Sequence, residues 1–163
     1  GGGDWSSDRI IPDVVSALKS DKSVLLRNPN STRPWQHVLE SLSGYLLLAT
    51  KLSMEPERND LSSSFNFGPQ LDSNRTVREL VQLCLSHWNG SIDEEINITD
   101  FHEASFLNLS IDKAKNLLGW SPCWSFELTV ERTMKWYKKI IVENQDPLVS
   151  CEDDLEIYQS YLI

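Results

Sequence analysis

The chain has no apolar run long enough to cross a membrane. Its longest lipophilic stretch, Tyr45 to Ala49, falls far short of the ~18 residues a span needs. It has no excess of basic residues either. Lys plus Arg number 15 against 24 Asp plus Glu, a net charge of −9. That balance argues against a broad footprint on nucleic acid or on an anionic membrane surface. Cysteine is scarce: Cys84, Cys123 and Cys151 are an odd number at no metal-ligand spacing. They read as reduced thiols and point to a cytoplasmic setting. His37, His87 and His102 stand far apart without carboxylate or thiolate partners in register, so no metal site is expected. Two motifs of dinucleotide enzymes are missing. No Gly-x-Gly-x-x-Gly turn occurs. No Tyr-x-x-x-Lys pair occurs either: the lysine after Tyr45 is Lys51, and those after Tyr137 are Lys138 and Lys139.

What remains reads as an ordinary globular α/β chain. Of its 163 residues 40% are apolar and 24% charged, enough for one domain with a core. The charge is uneven. Residues 143–163 carry six acids and no base, and so supply −6 of the −9. This divides the chain into a body, 1–142, and an acidic tail, 143–163, expected to be partly ordered at best with its acidic run solvated, although Tyr158, Tyr161 and Leu162 could dock.

Helical spacing predicts a helix from Pro12 through Val14, Val15 and Leu18. A second follows Trp35, with Val38, Leu42, Tyr45, Ala49 and Leu52 as its buried stripe. Thr76-x-x-Glu79 is a capping box that opens a third, carrying Val77, Leu80, Val81, Cys84 and Trp88. Ser110 or Asp112 caps a short helix that ends at Gly119. A last long helix shows Phe126, Val130, Met134, Tyr137 and Ile141 on one face. Val24–Leu26 reads as a buried strand and Phe65–Phe67 as a short one. Further strands are expected around Ile96–Thr99 and Phe106–Leu109.

The sharpest chemical feature is Arg33-Pro34-Trp35-Gln36-His37-Val38. A guanidinium fork on a rigid turn matches two phosphate oxygens, and an adjacent indole could shield the pair from water. The competing reading is an exposed Arg33 beside a core Trp35. Arg9 and Arg27 could converge on the same polyanion, or be plain surface charges. His102-Glu103, in a loop, could hold ribose hydroxyls or a base edge, although a loop His without a partner is often inert.

Several stretches together resemble the CDP-glucose 4,6-dehydratases, within the extended short-chain dehydrogenase/reductase group of sugar-nucleotide enzymes. They are Gly1-Gly2-Gly3-Asp4-Trp5, Ile11-Pro12-Asp13, Arg27-Asn28-Pro29, Arg33 to Glu40, Ser43 to Ala49, Phe65 to Pro69, His102-Glu103-Ala104, Leu117 to Pro122 and Thr133-x-x-Trp136-Tyr137. The stretch beginning at Arg33 is the most specific to the CDP-glucose branch. The resemblance implies an α/β fold: the C-terminal, substrate-binding part of such an enzyme, with a few strands of a Rossmann sheet. It implies that Arg33 holds the substrate diphosphate. Arg9, Arg27, Asn28 and Trp35 line the nucleotide-sugar cleft, and His102 and Glu103 close it. No catalytic residue is expected in these residues. The cofactor loop and the Tyr-x-x-x-Lys pair would lie upstream, since the chain opens on Gly1 without Met and reads as the continuation of a longer one. The full-length enzyme would hold NAD, act on a nucleotide sugar and form a homo-oligomer, whereas this chain alone is expected to bind no cofactor and to be inactive. The alternatives are a non-catalytic sugar-nucleotide-binding or interaction module, or another nucleotide-sugar dehydratase or epimerase of the same family.

Overall fold

A computed structural model describes residues 1–94 and 107–162. Its elements run α1 (Ile10–Lys19), β1 (Val24–Leu26), β2 (Thr32–Pro34), α2 (Val38–Met54), β3 (Asn74–Thr76), α3 (Val77–His87), β4 (Ile92–Glu94), α4 (Asp112–Leu118), α5 (Phe126–Ile141) and α6 (Pro147–Ser160), with 3-10 turns at Asn59–Leu61 and Leu71–Ser73. The strands form two small pairs. β1 lies parallel to β4 with Val24 opposite Ile92 and Leu26 opposite Glu94. β2 lies antiparallel to β3 with Arg33 directly opposite Arg75.

Two apolar clusters hold these pieces. The larger joins α1, β1, α3 and α5 through Val14, Val15, Leu26, Val81, Met134 and Tyr137. The smaller gathers Leu61, Phe67, Ile111, Ala114, Leu118 and Trp120. The expected faces of α1, α3 and α5 are the buried ones. The capping box is complete, with the Thr76 hydroxyl on the Glu79 amide and the Glu79 carboxylate on the Thr76 amide. Gly119 ends α4 at φ 71°, the left-handed position glycine tolerates. The cap at the other end differs: Ile111 occupies it, and Ser110 instead donates to Asp112.

Five expectations are corrected. Helix α2 buries Glu40 and Gly44, while Val38, Leu42 and Tyr45 face solvent. The reason is Gly44, whose missing side chain lets the Phe67 ring lie on the helix. Phe65–Phe67 is not a strand. Its Phe67 carbonyl accepts from the Gln36 side chain, and its Phe67 ring fills the second core. Strand β1 is buried on one face only, with Leu25 52% exposed. The tail is no solvated segment, since α6 packs on α5. Its Asp154 takes the Arg132 Nε at 2.7 Å and its Asp153 takes Lys139 at 2.6 Å. The strand expected at Ile96–Thr99 lies outside the described residues, as does Phe106. Leu107–Leu109 is not a strand.

Candidate functional site

The turn that follows β1 is bolted to α3. The Ser31 amide closes it on the Asn28 carbonyl. The first two helical amides of α3, Val77 and Arg78, then donate to the carbonyls of Ser31 and Pro29 at 3.0 and 2.9 Å. These bonds satisfy groups that a helix start leaves open. They also fix where β2 begins, and with it Arg33. On the far side of the ribbon the Trp35 indole donates to the Arg75 carbonyl at 2.8 Å. Trp35 is half-buried against the larger core. Its indole N–H is spent on that bond, and its ring is left partly exposed.

Beside this turn lies a solvent-open groove of about 620 Å³ between α1 and β1. Asp8, Asp13, Lys22, Arg27 and Asn28 line it, and Val77 closes the end nearest the ribbon. Arg27 reaches Asp8 at 3.5 Å, with both side chains well exposed. The groove takes in Arg27 and Asn28 but not Arg9, Arg33 or Trp35. Arg9 is the exposed residue at the head of α1. The structure thus gives two groupings: Arg27 with Asn28 in the groove, and Arg33 with Trp35 on the ribbon. His102 and Glu103 lie outside the described residues. Arg75 was not singled out in the sequence, because nothing in Asn74-Arg75-Thr76 reveals that it stands across from Arg33.

The glycines at the chain's start do not form a phosphate cradle. A side chain at Gly2 would strike the Trp136 ring at 2.0 Å, and one at Gly1 would meet His37 Nε2 at 2.9 Å. Both are used for close packing against side chains, so these residues do not fit a bound dinucleotide. Among the described residues no three His, Cys, Asp or Glu groups are placed to hold a metal.

Behind the ribbon lies a buried polar seam. His37 caps α2 by accepting the Leu39 amide on Nδ1 at 3.4 Å, and its Nε2 has no partner. Its ring lies against Trp124, 4.8 Å between centroids. Burial first, then the positive charge of Arg132, holds its pKa down to about 3. An unfolded chain would protonate His37 below pH 6.5, while the folded one refuses the proton until about 3. Stability therefore falls as pH drops through that window, by about 2 kcal/mol at pH 5. Urea unfolding at pH 7, 6 and 5 should show this slope. His37→Asn, which keeps a capping acceptor, should flatten it, and an equal slope in the variant would contradict the assignment.

No family model matches the chain. It is 38% identical over 161 residues, 98% of its length, to the CDP-glucose 4,6-dehydratase of Salmonella typhimurium, and spans 44% of that protein. Among solved structures it superposes on the dTDP-glucose 4,6-dehydratase of Bacillus anthracis, solved in complex with NAD. The TM-score is 0.64 at 23% identity, over 85% of this chain and 42% of that one. It also superposes on the PbgP3 protein of Burkholderia pseudomallei, with TM-score 0.57 at 16% identity over 81% of this chain and 40% of that one. The chain thus spans less than half the length of each of these relatives. In sequence it matches the C-terminal half of a CDP-glucose 4,6-dehydratase, and its few short strands among helices have the fold of part of the dTDP-glucose 4,6-dehydratase on which it superposes.

Proposed function

We propose that this chain is the nucleotide-sugar-binding part of a 4,6-dehydratase that acts on CDP-glucose. The observation that carries the reading is the 38% identity, sustained over 98% of the chain, to a CDP-glucose 4,6-dehydratase. The geometry supports it at one point above all. Arg33 stands on a two-stranded ribbon held at both ends, as a fork donor must be to meet a diphosphate in one fixed orientation. Arg27 and Asn28, which line the adjoining groove, are assigned to the nucleoside end. Arg9 is assigned to the mouth of the same cleft, and His102 and Glu103 to its closure.

The work proposed for these residues is to bind and orient. The resemblance implies NAD in the whole enzyme, which would supply the redox chemistry. No cradle for it exists among the described residues, so none of them is given a part in hydride transfer. The protein is expected to bind neither nucleic acid nor membrane. Among the described residues no helix is long and apolar enough to cross one.

Turnover of three substrates by the native protein that carries this sequence tests the reading. CDP-glucose should be converted to its 4-keto-6-deoxy product with kcat/KM at least about tenfold above UDP-glucose and dTDP-glucose, a difference of about 1.4 kcal/mol in transition-state binding. Equal turnover of all three would withdraw the cytidine preference. Tight binding of CDP-glucose without turnover would favour a non-catalytic nucleotide-sugar module.

A further inference from the structure

The groove between α1 and β1 has an apolar floor and a polar edge of mixed character. Helix α1 turns Asp13, Ser16 and Ser20 toward it, at i, i+3 and i+7, while Val14, Val15 and Leu18 enter the core. Strand β1 forms the facing wall. Its alternation buries Val24 and Leu26 and leaves Leu25 in the groove, 52% exposed. Arg27 follows two residues on and lines the groove as well. Two carboxylates are present there, Asp8 and Asp13. Asp8 accepts from the Arg27 guanidinium at 3.5 Å. The Asp13 carboxylate has no hydrogen bond or ion pair among the described residues. Its place in the first turn of α1 suits the helix dipole, but that role asks only for a negative charge.

We propose that Asp13 is the residue that selects the base of the nucleotide sugar, accepting a hydrogen bond from the 4-amino group of cytosine. This rests on the nucleotide-sugar reading above and deepens it. Cytosine and uracil have the same size and differ along one edge. Cytosine presents a donor amine at C4 and an acceptor at N3, whereas uracil and thymine present an acceptor at O4 and a donor at N3. A site that selects cytosine therefore needs an acceptor for the C4 substituent and a donor for N3 and O2. An ionised Asp accepts only and an Arg donates only. Carboxylate to cytosine amine is a standard base-reading pair. Arg27 has five N–H groups, of which one reaches Asp8, so its fork can serve N3 and O2. Leu25 offers the ring an apolar surface to lie on, and about 620 Å³ is ample for a nucleoside. Uracil in the same place would set O4 against the carboxylate and N3–H against the guanidinium. Both contacts are repulsive, and they reject the wrong base.

Calorimetric titration of the native protein with CDP and with UDP tests this, since the two ligands carry the same diphosphate and ribose. The unaltered protein should bind CDP at least about tenfold more tightly than UDP. Asp13→Asn, whose amide can donate to O4, should weaken CDP, strengthen UDP and bring the ratio of the two Kd values to about one or below. Asp13→Ala should weaken CDP without any gain for UDP. Both substitutions lie at an exposed position, and thermal unfolding confirms that each variant is folded. A tenfold ratio that survives in both variants overturns the assignment of Asp13 and leaves the cytidine reading intact. An equal loss of CDP and UDP also overturns it, because a residue that reads the base edge cannot weaken both alike. Equal Kd values in the unaltered protein overturn the cytidine reading and this assignment together.

Discussion

Glu40→Ala is expected to lower the unfolding free energy by about 4 kcal/mol. Glu40 is 1% exposed and its carboxylate takes three bonds. Oε1 accepts the amides of Cys123 and Trp124 at 3.0 and 2.7 Å, and Oε2 accepts the Tyr158 hydroxyl at 2.7 Å. Alanine leaves these donors buried without an acceptor, at roughly 1–3 kcal/mol each before relaxation. The Ser43 hydroxyl, 2.9 Å from that of Tyr158, and the Trp120 indole, which donates to Ser43 at 3.0 Å, belong to the same network. In a chain of this size the loss corresponds to a Tm drop of about 8–16 °C. Tyr158→Phe removes one donor from the network and should cost about 1 kcal/mol. Burial pushes the Tyr158 hydroxyl well above its ordinary pKa, so it stays a donor throughout the working range. Thermal unfolding of both variants measures the two losses. A Glu40→Ala protein as stable as the wild type would show that the seam is not a joint. The network also bears on the site. It fixes the first turns of α2, which begins four residues after β2 ends and so holds the C-terminal end of the Arg33 strand.

Gly44→Ala tests the second joint. The added Cβ would stand 2.2 Å from Cδ1 of Phe67 and 2.6 Å from Cε1. The ring has little room to retreat, with Trp120 edge-on at 5.0 Å and Tyr45 edge-on at 5.3 Å. Alanine favours a helix by about 1 kcal/mol over glycine. Overpacking of a fixed ring costs about 3 kcal/mol and outweighs it. Denaturant unfolding should therefore place the variant about 2 kcal/mol below the wild type. A variant more stable than wild type would mean that Phe67 is free to move and that the second core is loosely held.

These two joints mark where the sequence was readable and where it was not. Helices α1, α3 and α5 bury apolar residues at i, i+3 and i+4, so their inner faces follow from periodicity alone. Helix α2 misleads for most of its length, because Val38, Leu42, Tyr45 and Ala49 make the better apolar stripe while the helix packs through Glu40 and Gly44, joined by Leu47, Leu48 and Leu52, of which only Leu52 belongs to the predicted stripe. A buried carboxylate and a missing side chain leave no hydrophobic signal. Much the same holds for α6, whose buried positions Ser150, Asp154 and Tyr158 recur every four residues, with only Tyr158 giving an apolar signal. Its acids looked like a solvated run, since their partners Arg132 and Lys139 lie on another helix. Strands β2 and β3 are three residues each and too short to show alternation, so the opposition of Arg33 and Arg75 needed the fold. Arg33 itself was legible, because an Arg-Pro-Trp turn is a local feature and the flanking stretch carries the resemblance.

The claim that a nucleotide-sugar diphosphate sits on the β2–β3 ribbon is tested most directly by Arg33→Ala in the native protein, titrated with CDP-glucose by calorimetry. Loss of a charge-assisted fork should weaken binding by about 2–3 kcal/mol, roughly 30- to 150-fold in Kd, with thermal unfolding little changed. A Kd for CDP-glucose equal to that of the unaltered protein would contradict the account.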